Sequence, residues 1–189
     1  HNGVLPTLAG EGTVLVDLRA HRTIQDGAVL AAARGATVRR FRSGDVEHAR
    51  RLLGKPGTGP RVICIDGINS MTGNPPDLPA FAALAREHDA WLYVDDAHGF
   101  GTMGPGGRGT AAHFGVVDGV DVLFNTFAKS MAGIGAFVSG PRWLINLLRY
   151  NMRSQLYAKS LPMPMVIGHE AAGEVVECGP GVADLQVSP

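Results

Sequence analysis

The sequence predicts an α/β fold of three layers, in which helices cover both faces of a mainly parallel sheet. Three observations lead to this prediction. Short and almost continuously apolar segments recur along the chain, helix-like segments lie between them, and Gly and Pro residues separate the two kinds. Strands that alternate with helices form crossover units, which build parallel sheets. The 189 residues, of which 45% are hydrophobic, are enough for one domain with a substantial core.

Six segments are predicted to be strands because they are short, apolar and bounded by turn-forming residues. They are Thr13–Val16, Ala36–Arg40, Arg61–Ile65, Trp91–Val94, Val120–Thr126 and Ile134–Ser139. Four further segments are predicted to be helices, namely Gly27–Arg34, Asp45–Leu53, Leu78–Glu87 and Pro141–Tyr157. The helix Asp45–Leu53 starts behind Ser43 and ends at Gly54, so a capping residue is available at each end.

The composition argues against several classes of protein. The 17 basic and 17 acidic residues give a formal net charge of +0, and no basic run is present, so neither a nucleic-acid surface nor a cationic membrane binder is predicted. Two cysteines cannot form a disulfide framework, which is typical of a reducing compartment. No apolar run could span a bilayer and no secretory leader opens the chain, so we expect a cytoplasmic protein. Because the first residue is His1 rather than Met, we also expect a fragment or a processed product.

A domain boundary is predicted near Leu161, where the character of the chain changes. The sequence Leu-Pro-Met-Pro at 161–164 would break any helix. The residues beyond it have the composition of strands and turns, unlike anything upstream. We therefore divide the chain into a first domain at 1–160 and a short β-like carboxyl-terminal tail at 161–189.

Lys129 is the lysine best placed for chemistry. It follows an apolar segment, Val122–Phe127, and precedes a turn of small residues, so we expect it to be held partly buried at the end of a strand. An unprotonated amine attacks carbonyl carbons, which is the requirement for a Schiff base. The alternative is a lysine that simply reaches solvent where its strand ends.

A second group of candidate residues follows the predicted strand Trp91–Val94, which leads directly into Asp95 and, three residues on, His98. Open α/β sheets bind ligands at the carboxyl ends of their strands. A carboxylate there can keep a pyridine nitrogen protonated, and an imidazole close by can touch the same ring. Two alternatives remain open, a pair of metal ligands without a third or an ordinary loop hydrogen bond.

The glycines at 99–104 formally match the dinucleotide-binding pattern GxGxxG. That pattern must open a helix, whereas Pro105 and further glycines follow here. We therefore predict a flexible glycine-rich loop beside a ligand site and no nicotinamide cofactor.

Five separated blocks together resemble the α-oxoamine synthase family, the fold-type I pyridoxal-phosphate enzymes related to class I and II aminotransferases. The blocks are Gly3–Pro6, His21–Gly27, Asp66–Gly73, Val94–Thr110 and Thr126–Ser130. The resemblance covers about residues 2–167 and implies the large domain of that fold, pyridoxal 5′-phosphate as cofactor and a homodimer.

The resemblance also assigns roles to individual residues. It implies catalytic roles for Lys129, which would form a Schiff base with the cofactor aldehyde, for His21, which would stack on the cofactor ring, and for His98. It implies that Asp95 pairs with the ring nitrogen.

Two further cofactor contacts are implied by the same resemblance. Ser70, together with His98, would approach the side of the ring that carries the phenolic oxygen. Thr126 would bind the phosphate.

The activity implied is the condensation of an amino acid with an acyl-CoA, with loss of carbon dioxide, to an α-amino ketone. The enzyme would be similar to serine palmitoyltransferase, which segment 151–162 resembles most, or to 8-amino-7-oxononanoate synthase. The family's amino-terminal segment and its small carboxyl-terminal domain have no counterpart in the chain, so we expect the isolated chain to be inactive or very weakly active. The alternatives are an aminotransferase or lyase on the same scaffold, and a non-catalytic subunit that pairs with a full-length relative.

The tail resembles a second family. The segment Gly168–Val182 is similar to the signature of zinc-dependent medium-chain alcohol dehydrogenases, in which the residues matching His169 and Glu170 bind zinc or lie beside it. A zinc site needs about three protein ligands, and the family's preceding cysteine is missing. We therefore predict no metal site, and keep a zinc- and NAD(P)-dependent dehydrogenase fragment as an alternative.

Overall fold

The structure is a computed structural model that describes residues 1–158. The described part contains six strands and seven α-helices. The strands are β1 (Thr13–Asp17), β2 (Thr37–Phe41), β3 (Arg61–Asp66), β4 (Trp91–Asp95), β5 (Val122–Thr126) and β6 (Ala136–Ser139). The helices are α1 (Val4–Ala9), α2 (Arg22–Ala32), α3 (Val46–Leu53), α4 (Leu78–Glu87), α5 (Thr110–His113), α6 (Arg142–Asn151) and α7 (Arg153–Tyr157).

All six strands form one sheet in the order β2-β1-β3-β4-β5-β6. The first five of these strands are parallel, and β6 is antiparallel to β5. The prediction of a mainly parallel sheet is therefore confirmed, and each of the six predicted strands is present to within two residues at either end. The order of the strands reverses direction at β1, since the chain first moves outward to β2 and then returns to β3.

Helices cover the sheet on both faces, which gives the three layers predicted. On one face, α1, α2 and α6 pack apolar side chains such as Leu5, Ile24 and Leu144 against the strands. On the other face, α3, α4 and α5 do the same with residues such as Leu53 and Phe81. Because both faces are covered, β1, β3 and β4 are buried along almost their whole length, as their continuous apolar sequences predicted.

The helix boundaries differ from the predictions in three places. The side chain that caps α3 is Asp45, which accepts a hydrogen bond from the backbone N–H of His48 at 2.7 Å, and not Ser43. Helix α2 begins at Arg22, five residues before the predicted Gly27, because its first turn is polar and lacks the alanines that signalled the rest. The predicted helix Pro141–Tyr157 is broken at Met152, whose backbone is extended.

The tail predicted at 161–189 lies outside the described residues, so the boundary near Leu161 and the likeness around His169 stay predictions. In the part of the chain that is described, no helix is long and apolar enough to cross a membrane. The carboxyl ends of β1, β3, β4 and β5 meet at one edge of the sheet, and that edge carries the candidate site.

Candidate active site

A cavity of about 520 Å³ opens at the carboxyl edge of the parallel strands. All six residues that the sequence singled out contribute to its lining: His21, Ser70, Asp95, His98, Thr126 and Lys129. The sequence separates these residues by up to 108 positions, and the parallel sheet brings them together because its parallel strands all end at the same edge. The predicted neighbourhood of Asp95 and Lys129 is therefore present, since the two line one cavity.

Asp95 is the last residue of β4, and only 6% of its surface is exposed. One carboxylate oxygen, Oδ1, accepts a hydrogen bond from the backbone N–H of Ala97 at 3.1 Å. The other, Oδ2, lies 2.9 Å from Nε2 of His1. The carboxylate is therefore fixed by two donors and still lines the cavity.

His1 is a site residue that sequence reasoning missed. Its imidazole is almost completely buried, lies 4.1 Å from the ring of Phe124 between centroids, and places Nδ1 2.7 Å from the hydroxyl of Tyr93. A single histidine in front of a short helix carries no pattern that points to a site. Only the approach of α1 to the end of β4 reveals the contact.

Asp66, at the end of β3, is a second acid in the cavity that was not predicted as a site residue. Burial, together with the negative charges of Asp95 and Asp17, raises the pKa of its carboxyl to about 6. The hydrogen bond from the backbone N–H of His21, at 3.0 Å, acts in the opposite direction. A buried carboxyl with its pKa near neutrality can exchange a proton with its surroundings at physiological pH.

The two predicted histidines flank the cavity from different elements. His21 caps α2, and its Nδ1 accepts a hydrogen bond from the backbone N–H of Thr23 at 3.3 Å, so its exposed ring stands at the start of that helix. Burial lowers the pKa of His98, and the positive charge of Lys129 lowers it further, against the raising effect of Asp95. The neutral form of His98, with one nitrogen free to accept a proton, is favoured at neutral pH as a result.

The prediction that Lys129 is partly buried is wrong. Lys129 lies three residues beyond the end of β5 and is exposed at the rim of the cavity, because the turn after the strand carries it clear of the sheet.

Thr126, the last residue of β5, directs its hydroxyl to the backbone carbonyl of Gly135 at 3.1 Å. Ser70 is exposed in the loop after β3.

The glycine-rich loop after β4 is not a loose segment, as was predicted, but is folded around the carboxylate of Asp96. That carboxylate is fully buried and accepts hydrogen bonds from the backbone N–H and the hydroxyl of Thr110, both at 2.7 Å. A Cβ atom at Gly67, Gly99 or Gly109 would collide with the Asp96 carboxylate. Glycine is therefore required at these three positions by close approach to a buried acid and not by contact with a dinucleotide.

The arrangement suits a ligand that carries both a basic ring nitrogen and an aldehyde. A buried carboxylate favours the protonated form of a ring nitrogen, while an amine at the rim can attack a carbonyl carbon. Among residues 1–158 there is no group of three or more His, Cys, Asp or Glu side chains that could hold a metal ion, so the pair Asp95 and His98 lacks the third ligand that a metal would need.

Comparison with known proteins supports this interpretation. A family model described as aminotransferase class I and II matches residues 3–171. The cysteate-C-fatty acyltransferase of Capnocytophaga ochracea is 43% identical over 94% of this chain and 43% of the relative. The 8-amino-7-oxononanoate synthase of Acidithiobacillus ferrooxidans is 37% identical over 94% of this chain and 45% of the relative. The chain spans less than half the length of these curated relatives.

Solved structures give the same result. The serine palmitoyltransferase of S. paucimobilis, in a structure that contains PLP, superposes with a TM-score of 0.81 at 32% identity, over 87% of this chain and 41% of that one. The 8-amino-7-oxononanoate synthase of Francisella tularensis, at 24% identity and a TM-score of 0.73, shares the fold over 88% of this chain and 47% of its own. The predicted resemblance to α-oxoamine synthases is confirmed, whereas the dehydrogenase-like tail finds no support in these comparisons.

Proposed function

The chain belongs to the aminotransferase class I and II family, and on that premise we propose that it forms the cofactor-binding part of a pyridoxal 5′-phosphate-dependent acyltransferase. The reaction proposed is the condensation of an amino acid with an acyl-CoA, with loss of carbon dioxide, to an α-amino ketone. The observation that carries the proposal is the single cavity lined by both Asp95 and Lys129. The relatives named as cysteate acyltransferase, 8-amino-7-oxononanoate synthase and serine palmitoyltransferase support the acyl-transfer class.

The residues of the cavity fit pyridoxal 5′-phosphate. The buried carboxylate of Asp95 is already held by two donors, so it needs no rearrangement to meet a ring nitrogen. Lys129, which follows β5, lines the same cavity. The volume of about 520 Å³ lies within the range usual for cofactor sites, roughly 300–1,000 Å³. When bound, the cofactor supplies an electron-withdrawing ring that stabilises a carbanion at the amino acid's α-carbon.

Asp95 would hold the ring nitrogen in its protonated form. Its burial makes the ion pair strong, because few water molecules remain to screen it. The donors on both of its oxygens fix the direction of the carboxylate. These features support Asp95 as the acid that sets the charge of the ring.

Lys129 would attach the cofactor through its Nζ and, when released, would accept or deliver a proton at the α-carbon of the amino acid. His98, favoured in its neutral form, would hydrogen-bond on the ring side with Ser70, and His21 would cover one face of the ring. Thr126 would contribute its hydroxyl to the phosphate. The exposed rim position of Lys129 leaves room for the small amino-acid substrate to reach the same atoms.

Further properties of the whole protein belong to the same proposal. The amino acid and the acyl-CoA are the small-molecule partners proposed, with neither nucleic acid nor a metal ion in the reaction. The resemblance to the family favours a homodimer in the cytoplasm. Sedimentation velocity of the purified protein would test the dimer, and a concentration-independent monomer would contradict it.

The attachment of the cofactor is tested by borohydride reduction. The full chain is incubated with pyridoxal 5′-phosphate, reduced, digested and mapped by mass spectrometry. We expect the phosphopyridoxyl mass on the peptide that carries Lys129, and its loss in Lys129→Arg. Lys55→Arg serves as the matched control, because Lys55 is exposed and is not among the residues that line the cavity, so its replacement should change nothing. Label confined to other lysines would contradict the proposal.

The reaction class is tested separately. The protein is incubated with an amino acid and either an acyl-CoA or a keto acid, and products are identified by mass spectrometry. Release of carbon dioxide and coenzyme A with the acyl-CoA supports the proposal, whereas amino-group transfer to the keto acid would support an aminotransferase.

A further inference from the structure

We propose that His1 is a positioning residue that holds the Asp95 carboxylate correctly turned toward the ring nitrogen of the cofactor. The inference rests on the proposed function, since it concerns the same cavity. His1 was not among the residues that the sequence or the family resemblance assigned to the site. Its imidazole joins the start of the chain to the end of β4 through two hydrogen bonds.

The contacts of His1 determine which nitrogen carries the proton. Both carboxylate oxygens of Asp95 act as acceptors, Oδ1 from the backbone N–H of Ala97 and Oδ2 from His1. Nε2 of His1 is therefore the donor in its contact with Oδ2. Tyr93 is fully buried, and burial together with the negative charge of Asp95 raises the pKa of its hydroxyl, so the hydroxyl keeps its proton. That proton can be donated to Nδ1 of His1, 2.7 Å away.

This assignment leaves a directed chain of hydrogen bonds. The Tyr93 hydroxyl donates to His1, and His1 donates to Asp95, with no polar atom of the three left without a partner. The Phe124 ring, at 4.1 Å from the imidazole, restricts the plane in which the imidazole can lie. Packing and hydrogen bonding therefore orient the carboxylate, and both Asp95 and His1 line the cavity in which a ligand would bind.

The test compares the affinity of the full chain for two ligands. The first is pyridoxal 5′-phosphate, and the second is its 1-deaza analogue, in which carbon replaces the ring nitrogen. The ratio of the two dissociation constants, measured by fluorescence titration, reports the contact with the ring nitrogen alone. A merely structural role for His1 would weaken both ligands equally and leave the ratio unchanged.

Three variants separate the contributions of His1. In His1→Leu the donor to Asp95 is lost, and we expect the preference for pyridoxal 5′-phosphate to fall by about tenfold, as for loss of one hydrogen bond to a charged group. In His1→Gln the side-chain amide can take the place of Nε2, and we expect the preference to be largely restored. Tyr93→Phe, which removes only the outer donor, should give a smaller loss.

The outcomes distinguish the inference from the function on which it rests. Should the wild-type chain fail to bind pyridoxal 5′-phosphate, the proposed function is contradicted. Should the wild type bind with a clear preference and His1→Leu keep the whole of it, the inference alone is wrong. Tighter binding by His1→Leu would also overturn it, because the imidazole would then be occupying the space of the ring. Should His1→Leu not fold, His1→Asn, whose shorter amide cannot reach Asp95, is expected to show the same loss, and its retention of the preference would contradict the inference.

Discussion

Two adjacent acids at the end of β4 have opposite environments. Asp95 lies on the face of the sheet that carries the cavity, with His1 and Phe124 beside it. Asp96 points to the other face, where it is fully buried and holds Thr110 at the far end of the glycine-rich loop. Successive side chains of a strand point to opposite faces, so neighbours with the same chemistry can serve unrelated purposes.

The two acids differ in function: Asp96 supports the glycine-rich loop, whereas Asp95 is available for contact with a ligand. Burial raises the pKa of Asp96, and its hydrogen bonds from Thr110 counteract that effect. Both of its oxygens accept hydrogen bonds from Thr110, and Asp96 is not among the residues that line the cavity. We therefore expect changes around Asp96 to alter the stability of the fold, and changes at Asp95 to alter ligand binding.

The largest effect is expected from Gly109→Ala. Gly109 has a φ of +92°, which an L side chain rarely adopts, and its new Cβ would collide with the Asp96 carboxylate. Strained backbone alone costs about 1–3 kcal/mol, and displacement of a buried, hydrogen-bonded carboxylate adds to it, so we expect a loss of at least about 4 kcal/mol or failure to fold. Urea denaturation followed by circular dichroism measures the free energy of unfolding.

Gly106→Ala is the matched control for this substitution. Gly106 also has a positive φ, of +61°, but a Cβ there would meet nothing within 4 Å. Only the backbone cost applies, and we expect about 1 kcal/mol. Equal losses at the two positions would show that contact with Asp96 does not determine the need for glycine at 109.

A smaller loss of stability is expected from Asp96→Ala. Both donors of Thr110 would be left buried without an acceptor, which costs about 1–3 kcal/mol for each group. We expect a total near 3 kcal/mol in urea denaturation. Asp96→Asn should lose much less, because its amide oxygen can accept the Thr110 N–H while its amide nitrogen donates to the hydroxyl. If Asn and Ala were equally destabilising, the negative charge and not the hydrogen bonds would be what the loop requires.

Of the three substitutions at the two acids and Gly109, Asp95→Asn is expected to cause the smallest free-energy change, and this change should appear in ligand binding. Removal of the charge that faces the ring nitrogen should weaken pyridoxal 5′-phosphate by about 1.5–3 kcal/mol, the range for a hydrogen bond to a charged group. The free energy of unfolding should change little, since the amide oxygen can still accept the N–H of Ala97. The amide nitrogen can donate to Nε2 of His1 in its other tautomer, whose Nδ1–H then donates to the Tyr93 hydroxyl. Fluorescence titration and urea denaturation of the same preparation measure both quantities. A loss of stability with unchanged affinity would reverse the roles assigned to Asp95 and Asp96.

The sheet and most of the site could be predicted from the sequence. Strands buried on both faces have continuous apolar sequences, and acids that directly follow such strands must lie at the carboxyl edge, so Asp95 could be placed without coordinates. The family-like blocks added His21 and Ser70, whose loops have no regular pattern of their own.

The remaining features depend on contacts between distant segments. Helix α1 was not predicted because it has only six residues and contains a proline, Pro6. The helix tolerates this proline because Pro6 lies in the first turn, where the backbone N–H has no partner within the helix. The contact of His1 with Asp95 follows from where that helix docks on the sheet. The roles of Asp95 and Asp96 could not be separated by composition, since the partner Thr110 is 14 positions away from Asp96.

The walls of the cavity come from separate strand-to-helix connections, and His1 meets Tyr93 across 92 positions of the chain. No local segment can form such a pocket by itself, so it comes into existence only when the central strands are aligned. Capture of a small molecule there would consequently report that folding is complete, and the captured molecule would shift the unfolding equilibrium toward the native state by mass action.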